Sequence, residues 1–189
     1  MTQSLKGRKV AVLAADGVEQ IELTRPREAV EKAGADTDLV SLEPGQIQAM
    51  DHMVQADKLT VDTTVAEASA DDYDALILPG GVANPDNLRQ SADAIEFVRG
   101  FFRAGKPVGA ICHAAWTLVE ADVVKDRTLT AYPSIWTDIR NAGGTVVDRE
   151  VTTDQGLVSS RNPDDLPAFC AKIVEEFAEG RHPVAEEVR

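Results

Sequence analysis

The sequence predicts a three-layer α/β sandwich around a mostly parallel sheet, and three observations carry that expectation. Short apolar runs alternate with longer stretches of helical periodicity, several runs stop at Gly or Asp turns, and the chain is long enough for one sizeable core. In such a sheet, ligands bind beyond the carboxyl ends of the strands.

Residues 9–15 read as the first strand, stopping at Asp16-Gly17. Apolar positions Ile21, Leu23, Ala29, Val30 and Ala33 then predict a helix closed by Gly34, with Pro26 expected to kink it or mark a restart. Residues 37–42 give the second strand, and residues 43–64 predict a loop with small decorating strands. Residues 73–81 form a buried strand ending at Pro79-Gly80-Gly81, and residues 93–104 a helix with Ile95, Val98, Phe101 and Phe102 on one face. A strand over 106–111 leads into a helix over 113–121. Strands over 129–132 and 145–147 flank a helix over 134–142, and residues 151–160 read as a hairpin turning at Gln155-Gly156. Asn162 as cap and Pro163 at the first position open a last helix through Phe169, Ile173, Val174 and Phe177. Residues 1–180 are thus expected to form one domain, and the charged, Pro-broken residues 181–189 a loose tail.

Composition narrows the function. With 43% hydrophobic and 27% charged residues and no apolar run near bilayer length, a soluble chain is expected. The amino-terminal residues lack the apolar stretch of a signal peptide, so the expected location is the cytoplasm. A net charge of −13 argues against nucleic acid as partner. The cysteines, Cys112 and Cys170, form no CxxC pair and are expected to be free thiols. No GxxxxGK[ST] or GxGxxG loop occurs, and His52 and His182 are isolated, so neither cofactor nor metal is expected. A phosphatase-type loop would need Arg at position 118, which is Leu.

The chemistry-bearing stretch is residues 108–116, Val-Gly-Ala-Ile-Cys-His-Ala-Ala-Trp. It places Cys112 where a strand gives way to a helix, a turn whose free N–H groups favour a thiolate. A lone cysteine in an apolar strand is more often inert; the adjoining His113 and the strand-to-helix context favour a nucleophile. Glu19, just beyond the first strand, could hydrogen-bond the sulfur if it carried a proton, or could simply favour the helix dipole. Gly80 and Gly81 let a backbone approach a substrate oxygen, with the N–H of Gly81 or Val82 and that of His113 as an oxyanion hole, though a plain turn would use the same residues. His113 is the candidate proton shuttle, but neighbours on a tight turn usually point apart. Asp86 could orient it or could be an acid of a helix first turn.

Three segments carry a resemblance: Asp16-Gly-Val-Glu-Gln-Ile-Glu-Leu23; Ala75-Leu-Ile-Leu-Pro-Gly-Gly81 with Asn84-Pro-Asp-Asn-Leu-Arg89; and Lys106-Pro-Val-Gly-Ala-Ile-Cys-His-Ala114. In their order and spacing the chain resembles the PfpI/ThiJ superfamily, grouped with Parkinsonism-associated deglycase and class I glutamine amidotransferase-like domains. The resemblance implies a flavodoxin-like sandwich, Cys112 as nucleophile and Glu19 as its hydrogen-bonding partner. It further implies a homodimer or hexamer in which Asp86 of a neighbouring subunit completes His113. Ala114 stands where many relatives carry Gly, and the acid is Asp where some carry Glu. The expected activity is that of a cytoplasmic, stress-related, cysteine-dependent hydrolase of peptides or of glyoxal-modified amines and thiols. The alternative is a non-enzymatic oxidative-stress sensor or chaperone-like protein with an oxidisable Cys112.

Overall fold

The computed structural model describes residues 4–183 and contains β1 (Lys9–Leu13), β2 (Val18–Glu19), α1 (Gln20–Lys32), β3 (Asp36–Ser41), β4 (Gln46–Asp51) and β5 (Val54–Thr60) in its first third. There follow β6 (Thr63–Thr64), β7 (Ala75–Leu78), α2 (Ala83–Leu88), α3 (Ala92–Arg103), β8 (Val108–Ile111) and α4 (Ala115–Glu120). The chain ends with β9 (Thr128–Leu129), α5 (Trp136–Asn141), β10 (Thr145–Val146), β11 (Val151–Asp154), β12 (Leu157–Ser160) and α6 (Leu166–Glu179). Seven strands form the central sheet in the order β11-β12-β8-β7-β1-β3-β6, parallel except for the β11–β12 pair at one edge. The expected sandwich and mostly parallel sheet are both present.

Strand alternation divides the core. Val10 and Val12 of β1 face the cluster built on α1 and α6, with Leu23, Val30, Phe169 and Ile173. Ala11 and Leu13 face the opposite cluster, where Val98 and Phe101 of α3 and Leu118 of α4 close the other layer. Gly109 thins β8 beneath α6: a Cβ there would fall 2.7 Å from Ile173 Cγ2. The absent side chain lets the helix sit close under the strand that carries Cys112.

Three expectations are corrected. α1 continues through Pro26 without a restart, losing there the hydrogen bond that the missing N–H would have given to the Glu22 carbonyl. Residues 46–60 are a full two-stranded hairpin with a two-residue turn at His52-Met53, and β2 joins it to make a separate three-stranded sheet. The tail is anchored at its start, where the His182 N–H donates to the Gly105 carbonyl at 2.7 Å and Nε2 lies 3.0 Å from Glu176 Oε1. Tail residues 184–189 lie outside the described residues, as do residues 1–3.

Candidate active site

The loops that leave β1, β7 and β8 meet at the carboxyl edge of the sheet. β8 ends at Ile111 in extended conformation, and Cys112 then takes a φ of 62°, a left-handed backbone that non-glycine residues seldom adopt. The chain turns through a short 3₁₀ segment, Cys112–Ala114, into α4. Cys112 is therefore held at a sharp strand-to-helix elbow.

The thiol is buried beside a carboxyl group, and that group belongs to Glu22. Glu22 lies in the first turn of α1, is fully buried, and accepts the Gly80 N–H through Oε2 at 3.0 Å, while Oε1 has no hydrogen-bond partner. Burial lifts Glu22 to about 7, with the charge of Glu19 adding to the rise and the neighbouring Cys112 thiol and Gly80 and Gly81 amides opposing it. Burial likewise pushes the Cys112 thiol well up, helped by the Glu22 charge and opposed by the nearby His113 and Gly81 amides. A proton held between this pair leaves one negative charge spread over the two groups instead of two buried anions side by side. When Glu22 holds it, the repulsion that opposes a thiolate disappears.

Glu19, the expected partner of the sulfur, is engaged elsewhere. Its Oε2 accepts the His52 N–H at 3.0 Å, and its Oε1 lies 3.7 Å from His52 Nδ1. The cause is local: Glu19 is part of β2, paired with Met50 of β4, so strand geometry aims it at the hairpin turn. Sequence reasoning missed Glu22, although its spacing from Pro26 and Val30 marks it as an acid on the buried face of α1.

His113 lies against Cys112 after all. Its Nδ1 is 3.2 Å from Cys112 Sγ, because the left-handed residue followed by a 3₁₀ turn brings the two side chains to one side. The ring stacks on Tyr132 at 4.5 Å between centroids with 25° between planes, and meets Trp116 edge-on at 5.4 Å. Burial lowers its pKa, so it enters neutral solution as a free base. Nε2 lies 3.1 Å from Ser134 Oγ, a contact that no sequence signal announced. Asp86 is exposed on α2, and among the described residues its side chain makes no hydrogen bond or ion pair.

Gly80 and Gly81 are required for close approach, but to the protein's own groups. A Cβ on Gly80 would run into Glu22 Oε2 and fall 2.7 Å from Cys112 Cβ; one on Gly81, whose φ is 83°, would fall 2.7 Å from the Glu19 nitrogen. Asn84, fully buried, locks this turn to β1: it accepts the Ala15 N–H at 2.7 Å and donates to the carbonyls of Pro79 at 2.9 Å and Gly80 at 3.0 Å. Val82 is exposed next to them. Cys170 sits on α6, its thiol pushed up to about 11 by burial. Two clusters away from the thiol, Glu19–Asp51–His52 and Glu176–Glu179–His182, bring ligand-type atoms within 4.8 Å of one another. In each, a carboxylate already contacts the histidine.

A sequence profile described as the DJ-1/PfpI family matches residues 8–176. The chain belongs to the DJ-1/PfpI family. Among curated relatives, a Bacillus subtilis protein named "Putative cysteine protease YraA" is 40% identical over 162 residues, covering 86% of this chain and 94% of that one. An uncharacterised Staphylococcus epidermidis protein is 40% identical over 172 residues, 90% of this chain and 98% of that one. Among solved structures, Drosophila melanogaster DJ-1beta superposes with a TM-score of 0.82 at 28% identity, covering 90% of each chain. The DJ-1/PfpI fold, a flavodoxin-like sandwich, is thereby shared. Among the described residues, no helix is long and apolar enough to cross a membrane.

Proposed function

We propose that the chain is a cysteine-dependent hydrolase of the PfpI type, acting on peptides or on glyoxal-modified amines and thiols. The observation that carries this reading is the 3.2 Å contact between Cys112 Sγ and His113 Nδ1 at a left-handed elbow. In the first step the thiol proton passes to Nδ1 while sulfur bonds the substrate carbonyl carbon, and the carbonyl π pair moves to oxygen. The Gly81 and His113 amides, which oppose the rise of the thiol pKa, hold that oxyanion in this reading. The tetrahedral intermediate then collapses: the bond to the leaving amine or thiol breaks, and His113 returns the proton to it. Water attacks the acyl-enzyme, His113 taking its proton, and the product leaves with Cys112 restored as a thiol. Exposed Val82 and Tyr132 flank the amides and the imidazole, giving the site an apolar rim. Both cysteines are free, as a reducing cytoplasm requires, and a stress-related role with assembly as a homodimer or hexamer belongs to the same proposal.

The test is a substrate panel of methylglyoxal, glycated amines and peptide reporters, run on wild type, Cys112→Ser and Cys170→Ser. Turnover is expected to vanish in the first variant and persist in the second. Turnover that survives loss of Cys112 overturns the mechanism.

A further inference from the structure

We infer that Ser134 is a positioning residue for the thiol chemistry: its hydroxyl, 3.1 Å from His113 Nε2, fixes the imidazole with Nδ1 presented to Cys112. The inference rests on the reading of Cys112 as the nucleophile. A neutral imidazole carries one N–H, and only the tautomer protonated at Nε2 leaves the Nδ1 lone pair free to take the thiol proton. Ser134 Oγ is the atom that accepts that Nε2–H. When the proton transfers, the S–H bond breaks, its electron pair stays on sulfur, and an Nδ1–H forms. The imidazolium then donates from Nδ1 to the thiolate and from Nε2 to Ser134. Without the hydroxyl, a ring buried against Tyr132 and Trp116 would hold a charged N–H with no acceptor among the described residues.

The surrounding backbone is arranged for this contact. Ser134 lies in the 3₁₀ turn Pro133–Ile135, which begins directly after Tyr132, and the Tyr132 N–H donates to the Cys112 carbonyl at 3.2 Å. Trp136 Nε1 holds the start of the turn by donating to the Ala131 carbonyl at 2.8 Å, and Ile135 is buried beneath it. The hydroxyl thus hangs from the residue that bears the thiol, and its distance from the ring is set by main-chain bonds. Ser134 is itself exposed and caps no turn, since the cap position is Tyr132 and no side-chain cap bond is made there. Its hydroxyl therefore has no evident task other than the histidine.

The experiment reads the thiol directly. In a Cys170→Ser background, the rate of Cys112 alkylation by iodoacetamide is measured from pH 5 to 9 for the parent, Ser134→Ala, Ser134→Thr and Asp86→Asn. Ser134→Ala is expected to alkylate about tenfold more slowly near pH 7 and to remain slower to pH 9, because burial and Glu22 hold the Cys112 thiol too high to ionise there without the histidine. Ser134→Thr, which restores the hydroxyl, should recover most of the rate. An alanine variant that follows the parent curve overturns the inference, as does a threonine variant as slow as alanine. So does a loss seen with Asp86→Asn and not with Ser134→Ala, which would hand the Nε2 position to an acid from a second copy. A parent that alkylates at Cys112 yet consumes no aldehyde or peptide sinks the hydrolase reading alone, and one inert at Cys112 at every pH sinks both.

Discussion

Glu19 and Glu22 lie within one helical turn of each other, yet they serve different parts of the molecule. Glu19 ends a two-residue strand and latches the turn of the β4–β5 hairpin through the His52 N–H, while Glu22, inside α1, faces the sheet edge, the Gly80 N–H and the thiol. The difference shows that an acid's role is decided by the backbone beneath it. Strand pairing with Met50 aims the first outward to the hairpin, and helical phase shared with Pro26 and Val30 aims the second inward.

The largest expected effect comes from Glu22→Gln, which keeps an oxygen for the Gly80 N–H and removes the charge. Glu22 is raised to about 7 in the folded chain, so the folded state keeps this proton where the unfolded state has already released it. The stability that goes with it is present in acid and is lost as pH rises through about 7. The variant should therefore match wild type near pH 5 and exceed it at pH 8 by up to about 3 kcal/mol, read from urea midpoints at both values. Parallel pH curves for the two proteins would show that Glu22 ionises in the folded site at the same pH as in the unfolded chain.

A smaller effect, and of opposite sign, is expected for Gly80→Ala, which forces a methyl between Glu22 and Cys112. It should cost about 1–3 kcal/mol in thermal or urea unfolding and abolish selective alkylation of Cys112 over Cys170. Retained selectivity would mean the carboxyl group and the thiol need not be in contact. The smallest change is expected for Glu19→Gln: within about 0.5 kcal/mol in stability, with Cys112 alkylation following wild type. If Glu19→Gln changed the thiol and Glu22→Gln did not, the contrast between the two acids would be reversed.

How much of this was legible in the sequence follows the same logic. β1, β7 and β8 are covered on both faces, so they read as plain apolar runs and their order gave the sheet and the elbow at Cys112. β5 is exposed along most of its length and carries no alternation, so the hairpin read as a loop with small decorating strands. With the hairpin goes β2, and without β2 nothing in the sequence turns Glu19 away from the sulfur. Glu22 was visible in principle, as a charge at a buried helical phase. Ser134 was not, because its contact with His113 depends on a 3₁₀ turn and on the Tyr132–Cys112 backbone bond, neither of which has a periodic signature.

The bond from the Tyr132 N–H to the Cys112 carbonyl also bears on folding. It draws a segment from beyond β9 back onto the elbow, so the thiol, Glu22, Gly80 and Ser134 meet only when four distant stretches of chain have assembled. Closing contacts of such high sequence separation costs loop entropy. A chain in which any one of these four stretches is displaced lacks the surroundings that set Cys112 apart from Cys170.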